Sequence, residues 1–120
     1  MSVIVQKYGG SSVANADRIR AIAKRVVARR QLGDAMVVVV SAMGDTTDDL
    51  ISLASQVTNH PEAREMDLLL STGEIVSSAL LAMAIKEIGA PAVALTGAQA
   101  GIRTDSSHRR ARIESIDVHR

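Results

Sequence analysis

Short continuous apolar runs alternate along this chain with longer stripes of apolar residues at helical spacing. Two runs predict strands at residues 3–6 and 35–40, and the second, mostly β-branched, predicts a strand buried on both faces. Between them an apolar stripe predicts a helix, formed by Ile19, Ile22, Ala23, Val26 and Val27. Asn15 is placed to cap the start of this helix, and Gly33 is placed to end it.

The rest of the chain continues with two helices and two further strands. The buried stripe predicted for the second helix is Leu50, Leu53, Ala54 and Val57. A longer helical region covers residues 62–88, with a predicted bend at Gly73, and Gly89 ends it. Residues 92–95 are predicted to form a third strand, and the alternation of residues 113–118 predicts another.

This order of elements predicts an α/β fold, a three-layer α/β/α sandwich with a mainly parallel sheet. At 120 residues the chain is one domain or part of one, and residues 1–120 show no linker or internal repeat. No closing helix follows the strand predicted near the end, so we expect a domain that is cut short.

Composition removes several classes of function. The net charge is +1 and Tyr8 is the single aromatic residue, so neither charge nor stacking favours nucleic acid. The absence of cysteine excludes disulfides, thiolate catalysis and zinc–thiolate sites. The most apolar stretch, residues 68–85, is interrupted by polar residues, so no membrane span is predicted. With no signal-peptide pattern at the start, we expect a cytoplasmic protein.

Lys7, Gly9 and Gly10 directly follow the first predicted strand. Ligands of open α/β sheets bind at the carboxyl ends of the strands, and glycines there permit positive φ and let backbone N–H groups converge on an anion. These residues predict a phosphate-binding loop with one cation. The spacing matches neither the P-loop nor the dinucleotide fingerprint, so an ordinary tight turn with an exposed lysine stays open.

Two further polar segments are candidates for substrate binding. Ser41 and Thr47 lie between the second strand and the second helix, where hydroxyls and a helix N-terminus can bind a carboxylate. Capping of that helix by Thr46 or Thr47 is the simpler alternative. Glu74 lies in a polar tetrad inside an apolar helix, and a substrate ammonium group would be a fitting partner if it is buried. A bent helix with Glu74 exposed is the alternative.

Basic residues and histidines near the carboxyl end are less informative. The basic cluster consists of Arg103, His108, Arg109, Arg110 and Arg112. It could reach nucleotide phosphates, but a solvated loop is the simpler interpretation. His60, His108 and His119 are scattered without metal-ligand spacing, so no metal site is predicted on this chain.

Taken in order, four segments resemble the beginning of the bacterial aspartate kinases (aspartokinases). They are VQKYGGSSV at residues 5–13, VSAMGDTTD at 40–48, LSTGE at 70–74 and LTGAQAGI at 95–102. Each segment alone is a weak signal, but the ordered set is highly specific. The resemblance covers essentially the whole chain and is strongest to lysine-sensitive, actinobacterial-type enzymes.

The resemblance implies the amino-acid kinase fold and transfer of the ATP γ-phosphate to the side-chain carboxylate of L-aspartate, giving 4-phospho-L-aspartate. This reaction begins lysine, threonine and methionine biosynthesis. The residues implied in ATP binding are Lys7, Tyr8, Gly9, Gly10 and Ser11, with Lys7 catalytic and Mg²⁺ bridging the phosphates. The residues implied in aspartate binding are Ser41, Thr47 and Glu74. A homo- or hetero-oligomer is implied for the full-length enzyme.

In this family the catalytic domain is longer than the present chain, and the adenine pocket and regulatory ACT domains lie in the remainder. We therefore expect the chain alone to be inactive. Two alternatives stay open. One is another member of the superfamily, acting on acetylglutamate, glutamate or UMP. The other is a non-catalytic module that associates through an exposed sheet edge.

Overall fold

The structure is a computed structural model that describes residues 2–108 and 110–118. Its elements follow the predicted alternation of strands and helices. They are β1 (Val3–Tyr8), α1 (Ala16–Gln31), β2 (Ala35–Val40), α2 (Thr46–Val57), α3 (Ala63–Glu87), β3 (Ile102–Thr104) and β4 (Ile113–Ile116). A 3-10 turn, Gly10–Val13, lies between β1 and α1.

β1 and β2 form a parallel pair in which Val5 is opposite Val37 and Lys7 is opposite Val39. Side chains alternate between the two faces of a sheet. One face of this pair packs on the helical core through residues such as Val38. On the other face Val5 is 64% exposed and Val37 is 49% exposed. The prediction that β2 is buried on both faces is therefore wrong for the described residues, because the helices that pack on the sheet lie on one side.

α1 forms as the local sequence predicts. The Asn15 side chain accepts a hydrogen bond from the Arg18 backbone N–H at 2.9 Å, which satisfies one of the free N–H groups at the helix start. The helix ends with Gly33 at φ +98, a conformation that glycine adopts without strain. The predicted stripe is confirmed, since Ile19, Ile22, Ala23 and Val26 are buried and Val27 is partly buried.

The core lies between α1, α3 and the covered face of the sheet. Val13 from the 3-10 turn is fully buried there. The other buried members are Ile19, Ile22, Ala23, Val26, Leu81, Ile85 and Ala90. These buried members are all aliphatic, and the one aromatic residue that packs against them is the partly buried Tyr8 of β1.

α2 differs from its prediction in two respects. Its N-cap residue is Asp45, with no side-chain capping hydrogen bond, so the predicted capping by Thr46 or Thr47 is wrong. The predicted stripe is also not buried: Leu53 is 53% exposed and Val57 is 80% exposed. α2 packs mainly on α3, and a helix with one neighbour covers little of its apolar surface.

The predicted third strand is also wrong. Residues 92–95 have no strand assignment, and no described strand pairs with them. A strand requires a hydrogen-bonded neighbour, which local sequence cannot provide. The strand predicted near residues 113–118 is confirmed as β4, which pairs antiparallel with β3. The described residues thus contain a two-stranded parallel sheet with helices on one face and a separate hairpin.

α3 is long and apolar enough to cross a membrane by length and composition, with a mean hydropathy of 1.8 in its most apolar window. The polar residues within α3, from which no membrane span was predicted, lower its mean hydropathy only partly. A core helix passes the same test, and Leu81 and Ile85 of α3 are buried in the core. The finding is weak evidence of a membrane span.

Candidate active site

The loop after β1 is held by its own backbone and by α1. The Ser12 N–H donates to the Gly9 carbonyl at 3.1 Å, and Arg18 Nη1 donates to the Ser11 carbonyl at 2.8 Å. Neither glycine adopts the positive φ that its lack of a side chain permits: Gly9 has φ −78, and Gly10 is not among the glycines with positive φ. The loop forms a 3-10 turn. Its glycines matter because they have no side chain, and not because of their backbone angles.

The loop after β2, residues 41–45, lies against the first loop. The Ser41 N–H donates to the Tyr8 carbonyl at 3.1 Å, and the Gly44 N–H donates to the Gly10 carbonyl at 2.9 Å. A Cβ on Gly10 would lie 3.0 Å from the Ala42 carbonyl oxygen and 3.2 Å from that of Gly44. Gly10 is therefore required for the two loops to approach this closely.

α3 reaches the same place through Gly73. This glycine is buried, and a Cβ on it would lie 2.8 Å from the Ala42 Cβ. α3 is continuous from Ala63 to Glu87, so close packing explains the glycine better than the predicted bend does. Sequence reasoning missed this contact, although Gly73 and Ser77, two small residues one helical turn apart in an apolar helix, were a signal that this face of α3 is packed closely.

The two loops and α3 meet at what we call the junction. The two charged candidates lie at its edge. Lys7 ends up exposed near the carboxyl end of β1, and Glu74, which follows Gly73, is also exposed. Neither forms an ion pair with another described residue. The exposed alternative for Glu74 is thus the observed one, and both charges are accessible to a ligand.

The hydroxyl groups of the candidate site fall into two kinds. Those of Ser71 and Thr72 donate to the Leu68 and Leu69 carbonyls of their own helix. Within residues 2–108 and 110–118, those of Ser41 and Thr47 form no hydrogen bond, and both residues are half-buried. The hydroxyls of Ser41 and Thr47 are therefore available to a ligand.

The basic residues near the carboxyl end do not join the junction as a group. Arg103, on β3, and Arg110 and Arg112 are exposed, as solvated side chains are. His108 Nδ1 lies 2.9 Å from Asp67 Oδ2 on α3. Arg109 and His119, which belonged to the predicted cluster and to the scattered histidines, lie outside the described residues. Nor do the described residues include a group of three or more His, Asp or Glu that could hold a metal ion.

The arrangement has a definite chemical character. A lysine, backbone N–H groups and two free hydroxyls lie around the carboxyl ends of two parallel strands, where α/β folds bind their ligands. A carboxylate from α3 lies nearby. Such a set can bind an anion on one side and a zwitterionic molecule on the other.

The chain belongs to the amino acid kinase family, whose model matches residues 2–119. Among curated proteins, the chain is similar to aspartokinases. That of Geobacillus stearothermophilus is 58% identical over 120 residues, covering 100% of this chain and 30% of the relative. That of Mycolicibacterium smegmatis is 58% identical over 118 residues, covering 98% and 28%.

A solved structure agrees in fold. The aspartate kinase from Synechocystis superposes with a TM-score of 0.80 at 55% identity, over 85% of this chain and 17% of that one. The predicted α/β fold and the predicted family are confirmed by these comparisons. The chain spans 28% to 30% of the length of these two curated relatives.

Proposed function

We propose that this chain is the amino-terminal part of the catalytic domain of an aspartate kinase, which transfers the ATP γ-phosphate to the side-chain carboxylate of L-aspartate. The observation that carries this proposal is the hydrogen bond from Gly44 to Gly10 at 2.9 Å. It joins the loop that follows Lys7 and Tyr8 of β1 to the loop that begins at Ser41 and leads to Thr47 of α2. A phosphoryl donor and its acceptor require two such adjoining half-sites.

The ATP half-site consists of Lys7, Tyr8, Gly9, Gly10 and Ser11. Phosphoryl transfer depends mainly on positioning and on neutralising charge on the transferred group. Lys7 is exposed and forms no ion pair with the described residues, so its ammonium group can stabilise that charge. The open space beside Gly9, where a Cβ would meet no atom within 4 Å, leaves room for a phosphate next to the backbone.

The aspartate half-site consists of Ser41, Thr47 and Glu74. The Glu74 carboxylate would bind the substrate ammonium group, and the two hydroxyls would donate to its carboxylates. The side-chain carboxylate of aspartate is ionised at neutral pH and is itself the nucleophile. The reaction therefore needs no general base from the protein.

Mg²⁺ would accompany ATP and neutralise charge on its phosphates. Mg²⁺ keeps several waters and binds largely through substrate phosphates. We assign it no ligand on this chain. We further propose a cytoplasmic enzyme of lysine, threonine and methionine biosynthesis that works as a homo- or hetero-oligomer without nucleic acid or membrane.

The test uses what we call the extended enzyme, meaning this chain continued to the full length of an aspartokinase. With ATP, Mg²⁺ and hydroxylamine, we expect aspartyl hydroxamate to form with L-aspartate, and we expect ADP release with acetylglutamate, glutamate or UMP to stay at background. Preference for one of those acceptors would contradict the proposal. The 120-residue chain alone is expected to give no hydroxamate, because the adenine pocket implied by the family resemblance lies in the remainder of the catalytic domain.

A second candidate function is that the chain alone acts as an association module. The exposed face of the β1–β2 pair favours it, since Val3, Val5, Val37 and Val39 are 47% to 64% exposed and form a continuous apolar surface. Size-exclusion chromatography of the chain, compared with the Val5→Ser and Val37→Ser double variant, tests it. A monomer that binds ATP saturably would count against this candidate.

A further inference from the structure

α3 passes the loop of residues 41–45 at a distance that leaves no room for a side chain at position 73. A Cβ on Gly73 would lie 2.8 Å from the Ala42 Cβ and 3.5 Å from Thr46 Cγ2. Carbon atoms in contact are normally about 3.5–4.0 Å apart. The Ala42 methyl group is fixed to its backbone and cannot rotate away, so a larger residue at position 73 must move one of the two segments.

Ala42 is also held from its other side. Its carbonyl oxygen would lie 3.0 Å from a Cβ on Gly10, and the N–H of Gly44, two residues further along the loop, donates to the Gly10 carbonyl. Ala42 is 5% exposed. The loop therefore cannot retreat toward β1 without breaking this packing, and the strain of a side chain at Gly73 falls on α3.

Each contacting residue is the chain neighbour of a residue assigned above to aspartate binding. Ser41 precedes Ala42, Thr47 follows Thr46, and Glu74 follows Gly73. The contact between α3 and the loop therefore sets the spacing between the carboxylate on α3 and the hydroxyls on the loop and on α2.

We propose that Gly73 and Ala42 are positioning residues of the aspartate site, which act by fixing the distance from Glu74 to Ser41 and Thr47. This inference rests on the proposed function. A methyl group on Gly73 would push α3 outward by roughly 1 Å, the difference between 2.8 Å and an ordinary carbon–carbon contact. Misplacement of this size in a substrate site can lower turnover about 100-fold.

The test is a double-variant cycle in the extended enzyme, with Gly73→Ala, Ala42→Gly and both together. We expect Gly73→Ala to raise the KM for aspartate at least tenfold, with the KM for ATP changed less than about threefold, since misplacement falls on the aspartate side. The double variant is expected to match Ala42→Gly, because removing the Ala42 Cβ leaves its Cα 3.9 Å from the new methyl group. Gly97→Ala is the control, since a Cβ there meets no atom within 4 Å.

Wild-type kinetics for Gly73→Ala would overturn the inference. So would a rise in the KM for aspartate that Ala42→Gly does not reverse, or an equal rise in the KM values for aspartate and ATP. If Gly73→Ala does not fold, the double variant is compared with Ala42→Gly alone, and any large loss of aspartate affinity in the double variant also overturns it. If the wild-type extended enzyme does not phosphorylate aspartate, the proposed function fails. The contact itself is still tested in the 120-residue chain, where Gly73→Ala should lower the melting temperature and Ala42→Gly should restore it.

Discussion

The backbone N–H of Gly44 donates to the carbonyl of Gly10 at 2.9 Å, which ties the loop after β2 to the loop after β1. This link uses no side chain, so it survives most substitutions in either loop. It is sensitive instead to anything that separates the two backbones. The side chains of Lys7 and Glu74 can therefore be changed without disturbing the junction.

Replacing Lys7 by alanine is expected to remove turnover and leave the fold intact. Lys7 is exposed and has no ion-pair partner among the described residues, so its loss costs little stability. Loss of a group that stabilises transition-state charge lowers kcat by about 100-fold to 1,000-fold. The measurement is kcat of the extended enzyme beside its melting curve, with Lys24→Ala on the exposed side of α1 as the matched control. A near-wild-type kcat would remove the role assigned to Lys7.

Glu74→Gln is expected to raise the KM for aspartate and leave the KM for ATP unchanged. The change keeps the shape of the side chain and removes the charge that would bind the substrate ammonium group. Since Glu74 is exposed, thermal stability should not change. Glu87→Gln, also exposed on α3, is the control. A change in the KM for ATP alone would contradict the assignment of Glu74 to the aspartate half-site.

Alanine at Gly9 and at Gly10 should have opposite effects on stability. Gly9 has φ −78 and ψ 175, which alanine adopts, and open space around it, so Gly9→Ala should leave the melting temperature unchanged or slightly raised. Gly10→Ala would force contacts of 3.0 and 3.2 Å with carbonyl oxygens and should cost about 1–3 kcal/mol.

The two glycine variants also separate stability from binding. Gly9→Ala should raise the KM for ATP, because its methyl group enters the space that we assign to a phosphate. Denaturant unfolding and ATP kinetics on both variants check these outcomes. Equal destabilisation by the two substitutions would mean that the loops do not meet as described.

Asn15→Ala is expected to destabilise the chain by about 1 kcal/mol through loss of the helix cap. Its side chain accepts the hydrogen bond from the Arg18 N–H, and Arg18 in turn donates to the Ser11 carbonyl. Fraying of the first turn should therefore also loosen the first loop. Thermal unfolding measures the effect, and Asn15→Ser should recover most of it. An unchanged melting temperature for Asn15→Ala would show that the cap contributes nothing.

The sequence was sufficient where the information was local. The cap at Asn15, the buried stripe of α1 and the end at Gly33 are all encoded within one segment, and all are confirmed. The stripe of α2 and the strand at residues 92–95 depend on which elements lie beside them, and both predictions failed.

The candidate site shows the same division. Its segments could be predicted, because Lys7 and Ser41 follow apolar runs that read clearly as strands. The contact between Gly73 and Ala42 could not be predicted, because a glycine in a helix indicates close packing but does not identify the residue that packs against it. Capping of α2 by a threonine failed because Asp45 occupies the N-cap position, one residue earlier than the hydroxyls.

Tyr8 lies between Lys7 and Gly9, half-buried, with its hydroxyl donating to Gln6 Oε1 at 2.9 Å. The chain has no tryptophan or phenylalanine, so all of its near-ultraviolet absorbance and intrinsic fluorescence come from this one ring. Emission from the unlabelled 120-residue chain is therefore a spectroscopic signal of the end of β1, where the first loop begins.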